Sequence, residues 1–216
     1  MMASRLPATM RQFGVAARAL IVFTLGLGVI YPLAMTGLAQ TLFHGNANGS
    51  VIKVHGRDVA SDLIGQAYTR QATKDGRPEV DADGKPVMVA DPLWFQTRPS
   101  AVEYDATGSG ASQYGPNNAD LLAAVQQRRK AVAELEGVDP AQVPPDALTA
   151  SGSGLDPQIS PAYAALQVGR VARERGLDVA EVRQLVRENT SGRTLGFLGE
   201  PAVNVVTLNA DLSALG

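Results

Sequence analysis

The chain has 216 residues, of which 19% are charged and 5% aromatic, and its formal net charge is -2. This balance lacks the basic stripe of a nucleic-acid binder, so no nucleic acid is expected among its partners. Cysteine is absent, which excludes disulfides, thiolate catalysis and Cys-ligated zinc. The length suits one ordinary domain together with an anchor.

An uncharged apolar run occupies residues 19–43. As a helix rising about 1.5 Å per residue, it is long enough to cross a hydrocarbon core of about 30 Å. A cleaved signal peptide is the alternative, because Gly37-Leu38-Ala39 forms a small-x-small site. The apolar run exceeds the usual signal core of about 7–15 residues, however. We therefore predict that residues 19–43 form one uncleaved transmembrane helix.

The charges that flank this run predict its orientation. The three arginines before it are accompanied by no acidic residue, whereas basic and acidic residues are mixed after it. These residues are Arg5, Arg11 and Arg18 before the run, and Lys53, Arg57 and Asp58 after it. Positive charge favours the inner side of a membrane. We predict a cytoplasmic N-terminus at residues 1–18 and an extracytoplasmic soluble domain at residues 44–216.

Helix signals are clear in the second half of this domain. Asn118 is a candidate N-cap for a helix that Gly137 ends. Ser160 followed by Pro161 starts another helix, which should end at Gly176. Asp178 then begins a third, with Glu181 at the capping-box position. These signals together predict three helices in this half of the domain.

Strand signals surround the helices and give the domain a mixed α/β (α+β) fold. β-branched or aromatic runs predict strands at residues 51–55, 94–102 and 203–208. Residues 69–92 are rich in Asp, Gly, Lys and Pro, and they contain the hairpin-turn signals Asp75-Gly76 and Asp83-Gly84. We interpret 69–92 as a surface insertion folded as a hairpin.

The sequence carries little evidence of a catalytic centre. Its two histidines, His44 and His55, lie in no metal-ligand spacing, so no metal site is predicted. A Ser-His-Asp triad needs no adjacent members, and the sequence leaves it open. The Gly-x-Ser-x-Gly elbow of many hydrolases is missing. Partner binding is therefore the function that the residues favour.

The segment Ser151-Gly152-Ser153-Gly154 has two interpretations. Successive backbone N–H groups and hydroxyls could cradle an anion, although the segment lacks the Gly-Lys-Ser/Thr of a P-loop. It could equally be a tight connector whose glycines adopt positive φ and whose serines bond the neighbouring backbone. The residues by themselves favour the connector.

Several segments together resemble the C subunit of the bacterial Kdp potassium-transporting P-type ATPase. They follow the family in order and spacing, and they are residues 95–101, 109–117, 149–156, 159–161, 196–201 and 203–205. The single N-terminal span matches as well. The resemblance covers nearly the whole chain except residues 69–92. Asp105, Ala119 and Gln158 depart from the residues common in that family, which weakens ligand assignments at those positions.

The resemblance implies a noncatalytic accessory subunit in the inner membrane of a bacterium. Its implied partners are a catalytic ATPase subunit, a potassium-channel-like subunit and a small fourth subunit, whose assembly it assists. The family is also described as a catalytic chaperone that raises the ATP affinity of the catalytic subunit. No intrinsic cofactor is implied, and ATP is a ligand only at the family level. An unrelated membrane-anchored extracytoplasmic binding protein or enzyme is the alternative.

The resemblance also supplies candidate site residues. Candidates for nucleotide or partner binding are Ser151, Gly152, Ser153, Gly154, Asp156 and Gln167. Other positions that match the family motifs are Arg98, Ser100, Ser112, Gly115, Asn117, Gly199 and Asn204. A subunit interface is the favoured role for the serine-glycine segment, because the predicted orientation places it where ATP is scarce.

Overall fold

The computed structural model describes residues 7–215, with the side chain of residue 8 left aside. By its internal contacts the chain divides into two compact units, Met1–Ser50 and Val51–Gly216. Arg5, which contributes to the predicted orientation, lies outside the described residues.

The first unit is helical. It contains α1 (Ala8–Leu25), a π-helical turn (Gly26–Ile30), α2 (Tyr31–Leu42) and the short α3 (His44–Ala47). Within the described residues, the helical stretch Thr9–Leu42 is long and apolar enough to cross a membrane. No residue in its most apolar part is buried. The predicted anchor is thus helical except for Phe43, and the helix begins earlier than Ala19.

The π-helical turn has a local cause. Pro32 lacks the N–H that would bond the carbonyl of Gly28, and its ring crowds that carbonyl. The turn just before Pro32 widens, so that the N–H of Tyr31 donates to the carbonyl of Gly26. Such turns interrupt a helix without ending it.

The second unit begins with paired strands. β1 (Val51–Val54) and β2 (Arg57–Ser61) form an antiparallel hairpin, which confirms the first predicted strand. Two nested antiparallel pairs then fold residues 69–92, and these are β3 (Thr69–Gln71) with β6 (Met88–Ala90) and β4 (Thr73–Lys74) with β5 (Arg77–Pro78). Asp75 and Gly76 have φ of 52° and 75° in the turn, as a two-residue hairpin requires. The hairpin is confirmed, and its being an insertion stays a prediction.

The three predicted helices are confirmed with their caps. They are α4 (Ala119–Glu136), α5 (Pro161–Arg175) and α6 (Val179–Glu188). The side chains of Asn118, Ser160 and Asp178 accept N–H groups of the first turns. Gly137 and Gly176 close α4 and α5 in the left-handed conformation.

A small antiparallel sheet lies among these helices. It contains β7 (Gln158–Ile159), β8 (Thr190–Ser191) and β9 (Ala202–Asn204), in the order β7-β9-β8. α7 (Val205–Ser213) follows β9 directly. α5 and α7 pack against β9, and α5 also packs against α4 and α6. This mixed helix-and-sheet unit agrees with the predicted fold class.

Two predicted strands are wrong. Residues 94–102 form no strand, because side chains rather than a neighbouring strand bond much of their backbone. Residues 203–208 were expected to be a strand throughout, but the strand ends at Asn204. The Asn204 side chain accepts the N–H groups of Val206 and Thr207, and so it starts α7.

The core lies between the helices and the small sheet. Apolar side chains from α5, α6, α7 and β9 make most of it, joined by Phe95 from the irregular segment 94–102. The side chains with no exposed surface are Phe95, Ala164, Val171, Val182, Val203, Val205, Leu208 and Leu212. Burying a side chain of the larger types stabilises the fold by roughly 1.5–3 kcal/mol, so this cluster holds the surrounding loops in place.

Candidate functional site

Three loop segments meet at what we call the serine-glycine junction, residues 98–104, 109–110 and 151–156. Ser100 is its centre. The Ser100 hydroxyl donates to the carbonyl of Gly154 at 2.7 Å and accepts the N–H groups of Val102 and Tyr104 at 3.1 Å. The N–H of Gly110 donates to the carbonyl of Ser153 at 2.9 Å. The junction thus joins segments that are far apart in the sequence.

No residue larger than glycine fits at position 154 unless the surrounding chain rearranges. Its φ is 70°, which is the left-handed region. A Cβ there would lie 2.6 Å from Cγ2 of Val102 and 2.7 Å from the carbonyl oxygen of Gly110. Both distances are shorter than real Cβ contacts, so the close approach of two backbones fixes glycine at this position.

Tyr104 closes the other side of the junction. A Cβ on Gly65 would lie 2.3 Å from Cε1 of Tyr104, so the ring lies directly on the glycine backbone. The Tyr104 hydroxyl donates to the carbonyl of Arg98 at 2.6 Å. Burial raises the pKa of Tyr104, which keeps this hydroxyl protonated and able to donate.

Arg98 and Asp156 form a partly exposed ion pair in the junction. Nη1 of Arg98 lies 3.3 Å from Oδ2 of Asp156, and Nη2 donates to the carbonyl of Thr149 at 3.4 Å. The other carboxylate oxygen accepts the N–H of Gln158. The Nε of Arg98 is buried without a hydrogen-bond partner among the described residues. Arg98 therefore retains one unused donor.

The serine-glycine segment uses its own side chains to bond its backbone. The Ser151 hydroxyl accepts the N–H of Gly154 at 2.8 Å, and the Ser153 hydroxyl accepts the N–H of Leu155 at 3.1 Å. Those two amides are consequently not free to bind a phosphate. The local geometry is that of a tight connector, with Gly152 and Ser153 exposed.

An open groove of about 680 Å³ lies beside the junction. Thr69 and Val89 of the nested hairpin contribute to one wall, and Gln127, Arg128 and Leu135 of α4 contribute to another, with Arg98 also in the lining. Its volume falls in the range of small-molecule sites, roughly 300–1,000 Å³. The lining contains the guanidinium groups of Arg98 and Arg128 and also the carboxylate of Glu134. Arg98 pairs with Asp156 and Arg128 donates to the carbonyl of Leu148, so an anionic ligand would share these donors.

Gln167 bonds the backbone of Gln96 rather than the serine-glycine segment. Its amide accepts the N–H of Gln96 at 2.6 Å and donates to the carbonyl of the same residue at 3.1 Å. Oε1 also accepts a bond from Arg170, and the side chain is fully buried. The amide group of Gln167 therefore fixes the backbone at Gln96.

A buried hydrogen-bond network around Arg170 was not predicted from the sequence. Its Nη1 donates to the carbonyls of Pro92 and Trp94, and its Nε pairs with Oε1 of Glu136 at 3.0 Å. Both charged side chains are almost completely buried, and Oε2 of Glu136 has no partner among the described residues. Burial raises the pKa of Glu136, although Arg170 opposes the rise. A charged residue inside the apolar stripe of α5 is the signal that could have revealed it.

The remaining motif residues are dispersed. Ser112, Gly115 and Asn117 are exposed in the coil before α4. Gly199, with φ of 78°, lies in the loop between β8 and β9. Asn204 caps α7 and donates to the carbonyl of Asp62 at 2.7 Å. The structure thus brings together Arg98, Ser100, Ser151, Ser153, Gly154 and Asp156, but not the other candidates.

Within the described residues no group of three or more His, Asp and Glu side chains could hold a metal ion. His44 lies on α3 and His55 follows β1.

The family model described as "KdpC: K+-transporting ATPase, c chain" matches residues 13–214. The chain belongs to this family. The match includes both the apolar helix and nearly all of the second unit, and it confirms the resemblance inferred from the dispersed motifs. Members of the family are membrane-associated subunits in potassium transport.

Individual relatives agree with the family match. The potassium-transporting ATPase KdpC subunit of Kineococcus radiotolerans is 47% identical over 205 residues, covering 94% of this chain and 93% of the relative. The KdpC subunit of Streptomyces avermitilis is 46% identical, covering 96% and 95%. That of Caldanaerobacter subterraneus is 44% identical, covering 89% of each. Similarity therefore extends over about nine-tenths of the length of these relatives or more.

Proposed function

We propose that this protein is the noncatalytic accessory subunit of an ATP-driven high-affinity potassium transport complex. The observation that carries the proposal is the family match over residues 13–214, which includes the apolar helix together with the compact second unit. In this proposal ATP hydrolysis belongs to another subunit. The protein assists assembly and stabilises the catalytic and potassium-conducting subunits, together with a small fourth subunit.

The proposal places the second unit outside the cytoplasm. One helix crosses the inner membrane, with Arg11 and Arg18 on the cytoplasmic side. The first acidic residue in the sequence is Asp58, well beyond the helix. This asymmetry supports an inside N-terminus.

The junction supports a binding role without intrinsic chemistry. Its serine hydroxyls are engaged with backbone groups, and Ser100 alone makes three such bonds. A nucleophile would need an adjacent base, whereas the junction contains a paired guanidinium and carboxylate. In our proposal the protein has no intrinsic cofactor, and the junction shapes a surface that other subunits contact.

A catalytic-chaperone role, in which the protein raises the ATP affinity of the catalytic subunit, is the second candidate. The groove of about 680 Å³ favours it, because Arg98 and Arg128 line a space large enough for a nucleotide. If a nucleotide binds, we propose this groove rather than the serine-glycine segment, whose amides at Gly154 and Leu155 are already bonded.

Co-purification tests the principal proposal. The full chain, tagged after Gly216 and extracted in mild detergent from cells that express it naturally, should retain subunits of a potassium-transporting ATPase in fixed proportion. Deleting its gene should reduce the amount of intact complex recovered through another tagged subunit. Recovery of this protein alone, with complex formation unchanged by the deletion, would refute the proposal.

Equilibrium binding separates the second candidate from the first. The full chain in detergent is titrated with labelled ATP, alongside an Arg98→Gln, Arg128→Gln variant. Saturable binding that the double variant weakens at least ten-fold would support the groove. Absence of saturable binding at millimolar ATP would remove the nucleotide role and leave the accessory role intact.

A further inference from the structure

The loop between β8 and β9 carries an exposed apolar tip, defined here as residues 194–198. The backbones of Thr194 and Leu198 exchange two hydrogen bonds, each of 2.9 Å, and so the loop is a closed hairpin. Leu195, Phe197 and Leu198 are 80%, 69% and 49% exposed. Large apolar side chains this exposed and adjacent typically mark an interaction site.

The tip is held in an unfavourable backbone conformation. Leu195 has φ of 55°, which the Cβ of a leucine disfavours, and Gly196 beside it has φ of 82°. Asparagine or glycine would adopt the same turn more easily. A strained turn that displays leucine is costly for folding and becomes explicable if the side chain has a binding role.

An ion pair closes the base of the tip. Nη2 of Arg193 lies 2.9 and 2.7 Å from the two carboxylate oxygens of Glu200. The two charges cancel, so the tip presents an apolar surface with no net charge. Anionic lipid headgroups attract clusters of basic residues, which this tip lacks. A protein pocket therefore fits the tip better than a membrane surface.

We propose that the tip inserts into an apolar pocket on the extramembrane face of another subunit of the same complex. This inference rests on the proposed function, because it takes its partner from the transport complex. Phe197 and Leu195 are the anchor residues, since a preformed hairpin loses little conformational freedom when it binds.

The small size of the tip argues for a partner held nearby. Three side chains bury much less than the roughly 1,200–2,000 Å² of a stable interface between free proteins, so the tip alone would not join two copies of this chain. The apolar helix Thr9–Leu42 reduces the interface area that the tip needs, because the helix can hold the protein in the complex. A subunit already assembled through its helix presents the tip at a high effective concentration, and a small contact is then sufficient.

Site-specific cross-linking in membranes identifies the occupant. A photo-reactive residue replaces Phe197 in the full chain within the natural complex, and Leu122, which is 58% exposed on α4, is replaced in the control. We expect a covalent product with a different ATPase subunit at position 197, in at least five-fold higher yield than at 122. Products with lipid alone, with a second copy of the chain, or at equal yield for both positions would overturn the proposal.

A second variant separates binding from folding. Leu195→Asn removes the apolar side chain but suits the positive φ, so it should leave the melting temperature unchanged or raise it. It should nevertheless weaken retention of the partner subunits in detergent by at least ten-fold, whereas Leu122→Ser should not. Retention equal to that of the unaltered protein would overturn the docking role.

The two proposals fail in different ways. If no ATPase subunit is recovered with the unaltered chain, the accessory function fails. If the subunits are recovered but both tests at the tip are negative, the accessory function stands and only the docking inference is lost.

Discussion

At Gly154 the backbone conformation and the lack of space for a side chain both require glycine. The residue has φ of 70°, and an added Cβ would lie 2.7 Å from the carbonyl oxygen of Gly110. Left-handed backbone costs a residue with a side chain about 1–2 kcal/mol, before any steric clash is counted. The junction thus depends on this glycine more than on any hydroxyl of the segment.

We expect Gly154→Ala to lower the free energy of unfolding by about 2–4 kcal/mol, because strain and overpacking add. Gly152→Ala is the matched control, since a Cβ there meets nothing within 4 Å. Urea unfolding of the full chain in detergent, followed by circular dichroism, measures both. Equal effects of the two substitutions would show that the close approach at Gly154 is not maintained.

Glu136 gives the second residue-scale prediction, which concerns pH. Burial raises its pKa above the ordinary value, so the folded state binds its proton more tightly than the unfolded chain does. The contribution of this carboxyl to stability is therefore fully present below its ordinary pKa of about 4.3 and is lost as the pH rises through the raised pKa. The decline in stability between these two pKa values is the expected signature.

The amide of a Glu136→Gln variant does not titrate, so this decline should be absent from it. Glu134→Gln is the control, because Glu134 is exposed and pairs with Lys130. Free energies of unfolding measured from about pH 4 to 7 should have the same pH dependence in the control and the unaltered protein. An identical dependence in Glu136→Gln would contradict the raised pKa.

At the scale of elements, side chains rather than a neighbouring strand bond the backbone of residues 92–96. Arg170 bonds the carbonyls of Pro92 and Trp94, and Gln167 bonds both backbone groups of Gln96. Asn209 accepts the N–H of Phe95 at 3.0 Å and donates to its carbonyl at 2.9 Å. Buried backbone groups must be bonded, and here α5 and α7 supply what a sheet would otherwise provide.

Asn209→Ala tests this arrangement. It leaves the buried N–H and carbonyl of Phe95 without partners, at about 1–3 kcal/mol each, so we expect a loss of about 2–5 kcal/mol. Asn117→Ala, at an exposed position, should change stability by less than about 0.5 kcal/mol. Thermal unfolding of both variants measures the difference. A small effect at Asn209 would mean that water or another group satisfies Phe95.

These elements also explain what the sequence could predict. The starts of α4, α5 and α6 were found because Asn118, Ser160 and Asp178 cap helices by contacts within three residues. Asn204 has the same role, but it stands inside a β-branched run that equally suits a strand. The segment 94–102 was mistaken for a strand because apolar and β-branched composition does not reveal which groups bond the backbone.

The candidate site was predictable only in part. Ser100 and Gly154 are 54 residues apart, and no local pattern predicts that they meet. The family resemblance nevertheless selected residues 95–101, 109–117 and 149–156, parts of which converge at the junction. Gln167 was a binding candidate from the resemblance alone; the structure places its buried amide on the backbone of Gln96, and a binding role for it stays a prediction.

At the scale of the whole molecule, function depends on the side of the membrane that the second unit occupies. Basic residues before the apolar run 19–43 and their mixture with acids after it are the observations that predict the orientation. Loop charges near the ends of a span set its topology, whereas distant charges have little influence. A change confined to the two ends of the helix therefore tests the prediction without altering the second unit.

We expect a reporter fused after Gly216, active only outside the cytoplasm, to be active in the unaltered protein. Reversing the charge bias should move a substantial fraction of it to the cytoplasmic side, where protease added to intact cells cannot reach it. The reversed variant carries Arg5→Asn, Arg11→Asn, Arg18→Asn, Asn46→Lys and Ala47→Lys. The control carries Asn46→Gln and Ala47→Gln and should keep the original orientation. A cytoplasmic reporter in the unaltered protein would overturn the extracytoplasmic placement, and it would strengthen the case for ATP in the groove beside Arg98, because ATP is abundant on that side.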